Sequence, residues 1–184
     1  MKKTLLVVLG VVILVGLFVG SIYNSLVKQR EAIDGQWAQV ESQYQRRFDL
    51  IPNLVATVKG IFKQEQAVFG EIAEARTRYA GASTPSDKVT AANQVESSLA
   101  RLLVIIEQYP ELKSAESVRT LMSQLEGTEN RVSVERMRFN DLVKDYNARM
   151  KTFPTNIIAG TFGFETREYF QADAAALAAP NVEF

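Results

Sequence analysis

Stepping from Leu26 by four and three residues in turn gives Leu26, Arg30, Ile33, Trp37, Val40, Tyr44, Arg47, Ile51, Leu54, Val58, Ile61, Glu65, Val68, Ile72, Ala75 and Tyr79. Thirteen of those sixteen positions are apolar or aromatic, and most residues between them are polar or charged. A spacing of about 3.5 residues held this long is the seam of an amphipathic helix packed on other helices, coiled-coil fashion. Arg30, Arg47 and Glu65 interrupt it with charge.

Ahead of the seam, Leu5 to Tyr23 is nineteen residues without a charge. At about 1.5 Å per residue such a helix is about 28 Å long, close to the hydrocarbon thickness of a bilayer. A cleaved leader would be shorter and end in a small-residue site, and Val19-Gly20-Ser21-Ile22-Tyr23 is a poor one. Residues 1–23 therefore read as a tail and an uncleaved transmembrane anchor. Gly16 and Gly20 form G-x-x-x-G, a spacing that lets two membrane helices approach closely. Lys2 and Lys3 balance Lys28 and Arg30, so charge barely orients the span. We place the N-terminus inside and the body outside the cytoplasm.

Proline and glycine divide the chain beyond the anchor. Asp49-Leu50-Ile51-Pro52-Asn53 reads as a helix start, with Asp49 as cap and Pro52 in the first turn, or as a kink. That helix stops at Ala80-Gly81. Thr84-Pro85-Ser86-Asp87 then matches a capped helix start. The helix it opens carries Val89, Ala92, Val95, Leu99, Leu102, Leu103 and Ile106 on one face and ends at Glu107-Gln108-Tyr109-Pro110. The last long helix bears Val118, Leu121, Leu125, Val132, Phe139, Leu142, Tyr146, Met150 and Phe153, with Thr128 and Glu135 as polar seam members, and Pro154 ends it. On it, Phe139-Asn140 and Tyr146-Asn147 repeat at seven residues, so each aromatic meets the same facing groove one heptad on. In the tail, 154–184, the aromatics Phe162, Phe164, Tyr169 and Phe170 are too many for a solvated strand of chain. They pack on the body or touch the lipid interface, and packing is favoured.

The expected fold is all-α: a transmembrane helix followed, over residues 24–153, by an up-down four-helix bundle. Chain reversals fall at Asp49–Pro52, Gly81–Pro85 and Tyr109–Pro110. The competing fold is one long hairpin turning near Gly81 with the prolines as kinks. The bundle puts Trp37 beside Ile61 to Lys63; the hairpin puts it near Thr128.

Composition narrows the chemistry. Lys+Arg and Asp+Glu are both 21, so a nucleic-acid partner, which wants a basic face, is not expected. There is no Cys and no His, which removes disulfides, thiolate chemistry, the commonest general base and the usual transition-metal ligand. Buried Arg47 needs a counter-charge, and Glu129 and Glu135 are candidates. Arg47, Asp49, Glu129, Asn130 and Arg131 read as a polar layer fixing helix register, with a ligand pocket as the alternative. Glu107, Tyr109 and Glu111 read as turn chemistry around Pro110 rather than a carboxylate pair across a cleft. No catalytic, metal or cofactor residue is assigned.

Several stretches carry a family resemblance. Arg46-Arg47-Phe48-Asp49-Leu50-Ile51-Pro52-Asn53-Leu54-Val55, Glu107-Gln108-Tyr109-Pro110-Glu111-Leu112-Lys113, Thr128-Glu129-Asn130-Arg131 and Pro180-Asn181-Val182-Glu183-Phe184, in that order, resemble the LemA family. Phe139 stands where the family often has Tyr. The resemblance implies a bacterial single-pass membrane protein with a soluble four-helix bundle, no established enzymatic activity and no cofactor. The function expected is a self-assembling, non-enzymatic envelope scaffold whose partners are the bilayer, further copies of itself and other envelope membrane proteins. The alternative is a monomeric adaptor or sensor for another membrane protein such as a protease.

Overall fold

The computed structural model describes residues 2–59 and 66–171. All regular structure among them is helical: α1 Lys2–Val58, α2 Gln66–Gly81, α3 Pro85–Glu107, α4 Pro110–Ser114, α5 Glu116–Lys151 and α6 Thr155–Phe162. Ile61, Lys63, Glu65 and the closing Pro180–Phe184 motif lie outside the described residues.

α1 corrects the reading of Asp49–Asn53. Pro52 lies inside a continuous helix rather than in the first turn of a new one. Proline there removes the amide that would bond the Phe48 carbonyl and costs about 3 kcal/mol. Against this, Ile51, Leu54 and Val58 are each at most 1% exposed. Burying side chains of that size contributes about 1.5–3 kcal/mol apiece, so the helix continues through the proline. Its ring faces solvent, on the side opposite the buried stripe. The helix persists to Val58, and α2, from Gln66, returns along it, with Tyr79 packed edge-on to Phe48 at 4.9 Å. That contact also excludes the single long hairpin, in which α1 and α2 would form one arm.

The chain divides into two compact units. One contains α1 up to Ala38 with Met137–Tyr169, and the other contains Gln39–Arg136 with the residues from Phe170 on.

In the second unit the core is Val40, Tyr44, Ile51, Leu54, Ile72, Val95, Leu99, Leu102, Ile106, Val118, Leu125 and Val132, all at most 2% exposed. These are largely the seam and stripe residues expected from their spacing. α2 and α3 pair antiparallel, since Arg101 meets Glu71 and Arg78 meets Gln94, each at 3.0 Å. The start of α3 is fixed by Thr84, whose hydroxyl accepts from the Asp87 amide at 3.1 Å while donating to the Asp87 carboxylate. Gly81 ends α2 without the left-handed turn expected of a terminal glycine. Among the described residues Gly163, with φ 70°, is the glycine that takes that conformation, closing α6.

In the first unit, Leu26, Ile33, Val143, Tyr146 and Met150 form the core. Trp37 packs edge-on against Phe139 at 5.4 Å, rather than near Thr128 as the hairpin required. Phe153 is a second correction: it is 79% exposed, beyond the end of α5, and not a core residue.

The apolar stretch of α1 is outward-facing, with Leu5 71% and Leu17 67% exposed. α1 is long and apolar enough to cross a membrane.

Candidate functional site

The residues singled out from the sequence fall into a buried ionic cluster, a turn and a helix face. The cluster is centred on Arg47. Its position on the seam forces the guanidinium inward, where the residue is 5% exposed. Nη2 lies 2.7 Å from Glu96 Oε2 on α3 and 2.8 Å from Glu129 Oε2 on α5. Nη1 donates to the Leu125 carbonyl at 2.6 Å and to the Thr128 hydroxyl at 3.3 Å. Thr128 in turn donates to the same Leu125 carbonyl at 2.8 Å. One cation therefore ties three helices together through one nitrogen shared by two carboxylates.

The remaining members of the expected layer are elsewhere. Asp49 is exposed and accepts from Gln45 at 2.9 Å within its own helix, and Asn130 and Arg131 are exposed on α5. Glu96 was not singled out from the sequence. The signal was present: it lies on the shoulder of the α3 stripe, four residues after Ala92 and three before Leu99, where a carboxylate is out of place unless a cation meets it.

Two carboxylates facing one guanidinium leave the cluster one negative charge in excess. Burial pushes the Glu96 carboxyl up from 4.5 to about 7, Arg47 opposing the shift and Glu129 adding to it. The second oxygen of Glu96 has no hydrogen-bond partner among the described residues, which suits a protonated carboxyl as well as an ionised one. Nearby, Arg136 bonds the Tyr44 hydroxyl and lies over the Phe170 ring at 4.6 Å. Burial raises the Tyr44 phenol well above its ordinary value and pushes Tyr79 up to about 12, so neither ionises near neutral pH. No nucleophile stands beside a base in this arrangement. What it holds is an ion-paired guanidinium that bridges three helices and one carboxyl with a raised pKa.

At the α3–α4 corner, Tyr109 caps α4 through its backbone, its carbonyl accepting from Leu112 at 3.0 Å and Lys113 at 3.1 Å. Glu107 and Glu111 are exposed. Pro110 opens α4 as its first residue, and the Asn53 carbonyl, one residue past Pro52, accepts from Thr57 at 2.7 Å. Among the described residues no group of three or more acidic side chains is placed to hold a metal ion.

Gly16 and Gly20 lie on one face of α1, and a Cβ added to either would meet nothing within 4 Å. The shallow groove there is lined by Gly16, Leu17, Gly20, Ser21, Asn24, Ser25 and Lys28. Asn147, which the sequence marks only through the aromatic–Asn repeat of α5, has a separate role. It holds the backbone of Arg167 at both ends: Asn147 Nδ2 donates to the Arg167 carbonyl at 2.8 Å, and the Arg167 amide donates to Asn147 Oδ1 at 2.9 Å. The Arg167 side chain continues to Asp34 at 3.0 Å.

Known proteins resemble the chain over most of its length. The magnetosome proteins MamQ 1 and MamQ 2 of Paramagnetospirillum magneticum are each 25% identical, over 83% of this chain and 66% of theirs. Protein LemA of Metamycoplasma hominis is 21% identical, over 81% of this chain and 68% of its own. The chain thus spans just under two thirds of the length of the magnetosome relatives. The LemA family model matches residues 36–184, from beside Trp37 through the Arg47 cluster to the end. On that match the chain belongs to the LemA family.

Proposed function

We propose that this protein is a membrane-anchored, non-enzymatic scaffold of the bacterial envelope that assembles with copies of itself through the Gly16–Gly20 face. The observation that carries the reading is that face: small residues on an apolar, outward-facing span, with no neighbour where a side chain would be. In lipid, close backbone approach over small residues is a main source of helix–helix attraction. The body is an up-down four-helix bundle made of the second part of α1, α2, α3 and the first part of α5. Tyr79 on Phe48, the antiparallel α2–α3 contacts (the Arg101–Glu71 ion pair and the Arg78–Gln94 hydrogen bond) and the Arg47 bridges to α3 and α5 support that arrangement. The anchor lies in the inner membrane with the bundle outside the cytoplasm.

Cross-linking of the full chain in native membranes tests assembly. Discrete homo-oligomers that disappear in Gly16→Ile and Gly20→Ile are expected. Monomers alone, with a single stoichiometric foreign partner in detergent extracts, favour instead a monomeric adaptor for another membrane protein.

A further inference from the structure

The first unit places an uncharged, outward-facing helix at the height where the apolar span ends. From Thr152 to Phe164 there is no charged residue, and α6 lies within that run. Its inner side is Thr155, Ile158 and Ala159, all buried. Its outer side leaves Ile157 60% and Phe162 52% exposed, next to Phe153 at 79%. That is much apolar area to leave in water on a segment with no compensating charge.

Helix register fixes the height of α6. Trp37 on α1 meets Phe139 on α5. One heptad down α1 is Arg30, and one heptad along α5 is Tyr146; beside them Asp34 pairs with Arg167, whose backbone is held by Asn147. The two helices are therefore antiparallel and in step here. α5 ends at Lys151, so the chain leaves it within about one turn of the height of Tyr23, just before α6 begins. At the other end of α6, Phe162 packs edge-on to Tyr23 at 5.1 Å, and Phe164 does so at 5.4 Å. Both ends of α6 thus sit at the height of Tyr23, so the helix, about 12 Å long, runs across α1 rather than along it. Burial along α1 changes at the same height: Ile22 is 8% exposed, whereas Phe18 is 56% exposed. α6 closes the packed part of the first unit, where the bare span leaves it.

We infer that α6, with Phe153, lies in the headgroup region of the same bilayer that the α1 span crosses, its Phe153, Ile157 and Phe162 side chains inserted among the lipids. The occupant is a lipid surface because the face is continuous, through Tyr23, with the apolar span. Exposed Arg30, over the Phe164 ring at 5.8 Å, and exposed Lys151, at the end of α5, stand beside it, as cations do at an anionic membrane surface. This rests on the anchor reading of α1, and the experiment separates the two.

The chain has no cysteine, so single cysteines give unique labels. Full-length Ile157→Cys, Phe153→Cys, Leu9→Cys and Val104→Cys carry an environment-sensitive fluorophore. Each is reconstituted in phosphatidylethanolamine–phosphatidylglycerol vesicles containing nitroxide lipids labelled near the headgroup or near the chain ends. Helicity by circular dichroism confirms that each variant folds. Positions 153 and 157 are expected to be quenched about two-fold by the shallow nitroxide. Leu9→Cys should respond to the deep nitroxide, and Val104→Cys, on α3, to neither. Labels at 153 and 157 as unquenched as that at 104, with position 9 still quenched, overturn the inference while the span stands. No quenching at position 9 overturns the span and the inference together.

Discussion

Arg47 and Glu96 face each other across 2.7 Å in the core, although 49 residues separate them in the chain. The Arg47 side chain is 6% exposed and that of Glu96 20%, so solvent screens the pair little. Removing one member of such a pair strands the other, and this costs more than the pair contributes. Arg47→Met is therefore expected to destabilise the body by about 3 kcal/mol at neutral pH, read as a lower denaturation midpoint in the full chain in detergent. An unchanged midpoint would show that the cluster does not hold the helices in place.

The same pair sets a pH dependence. The folded-state value of Glu96 lies above its unfolded value, at about 7 against 4.5. The folded state therefore holds the proton longer. Its contribution is complete below the unfolded value and is lost as pH rises through about 7. From pH about 4.5 to 7 this amounts to about 3 kcal/mol at most. Glu96→Gln should flatten the curve over that window and leave it unchanged below. Parallel curves for the two proteins would show that the carboxyl titrates normally.

Pro52→Ala separates the two readings of the segment around it. In an interior position, alanine restores an amide for the Phe48 carbonyl and relieves the ring clash. A gain of about 1–3 kcal/mol is expected, because Pro52 is exposed and no packing is lost. Had Pro52 stood in a first turn, the change would be neutral or slightly destabilising. Thermal denaturation by circular dichroism distinguishes these.

Asn147→Ala should release the segment after α6. Both the Nδ2 donor and the Oδ1 acceptor of the side-chain amide serve the Arg167 backbone, so the change leaves the Arg167 amide and carbonyl unsatisfied, at about 1–3 kcal/mol. Faster hydrogen exchange at the Arg167 amide and easier tryptic cleavage after Arg167 are expected. Thr84→Ala, which removes a cap, should cost about 1 kcal/mol and act on α3.

The residues separate what was legible in the chain from what was not. The seam was legible where it is described, at Leu26, Ile33, Val40, Tyr44, Arg47, Ile51, Leu54 and Val58 on α1 and at Ile72, Ala75 and Tyr79 on α2, because a period of about 3.5 is set by helix geometry itself. The Thr84 cap was legible because its chemistry is local. Pro52 misled because its local cost is outweighed by Ile51, Leu54 and Val58, whose burial depends on distant helices. Glu96 was missed for a similar reason: the seam showed that Arg47 needed an anion, but which carboxylate supplied it depended on how α3 is rotated. α6 has eight residues, too few to show a period, and its position emerges only from Tyr23 and the register of α5.

The burial of Glu96 beside a second carboxylate has a calorimetric consequence. Near pH 6 the folded body carries most of a proton on Glu96 that the unfolded chain does not bind. Unfolding must then discharge that proton into the medium. The heat absorbed at the transition should accordingly depend on the ionisation enthalpy of the buffer, and replacement of one side chain on α3 should abolish that dependence.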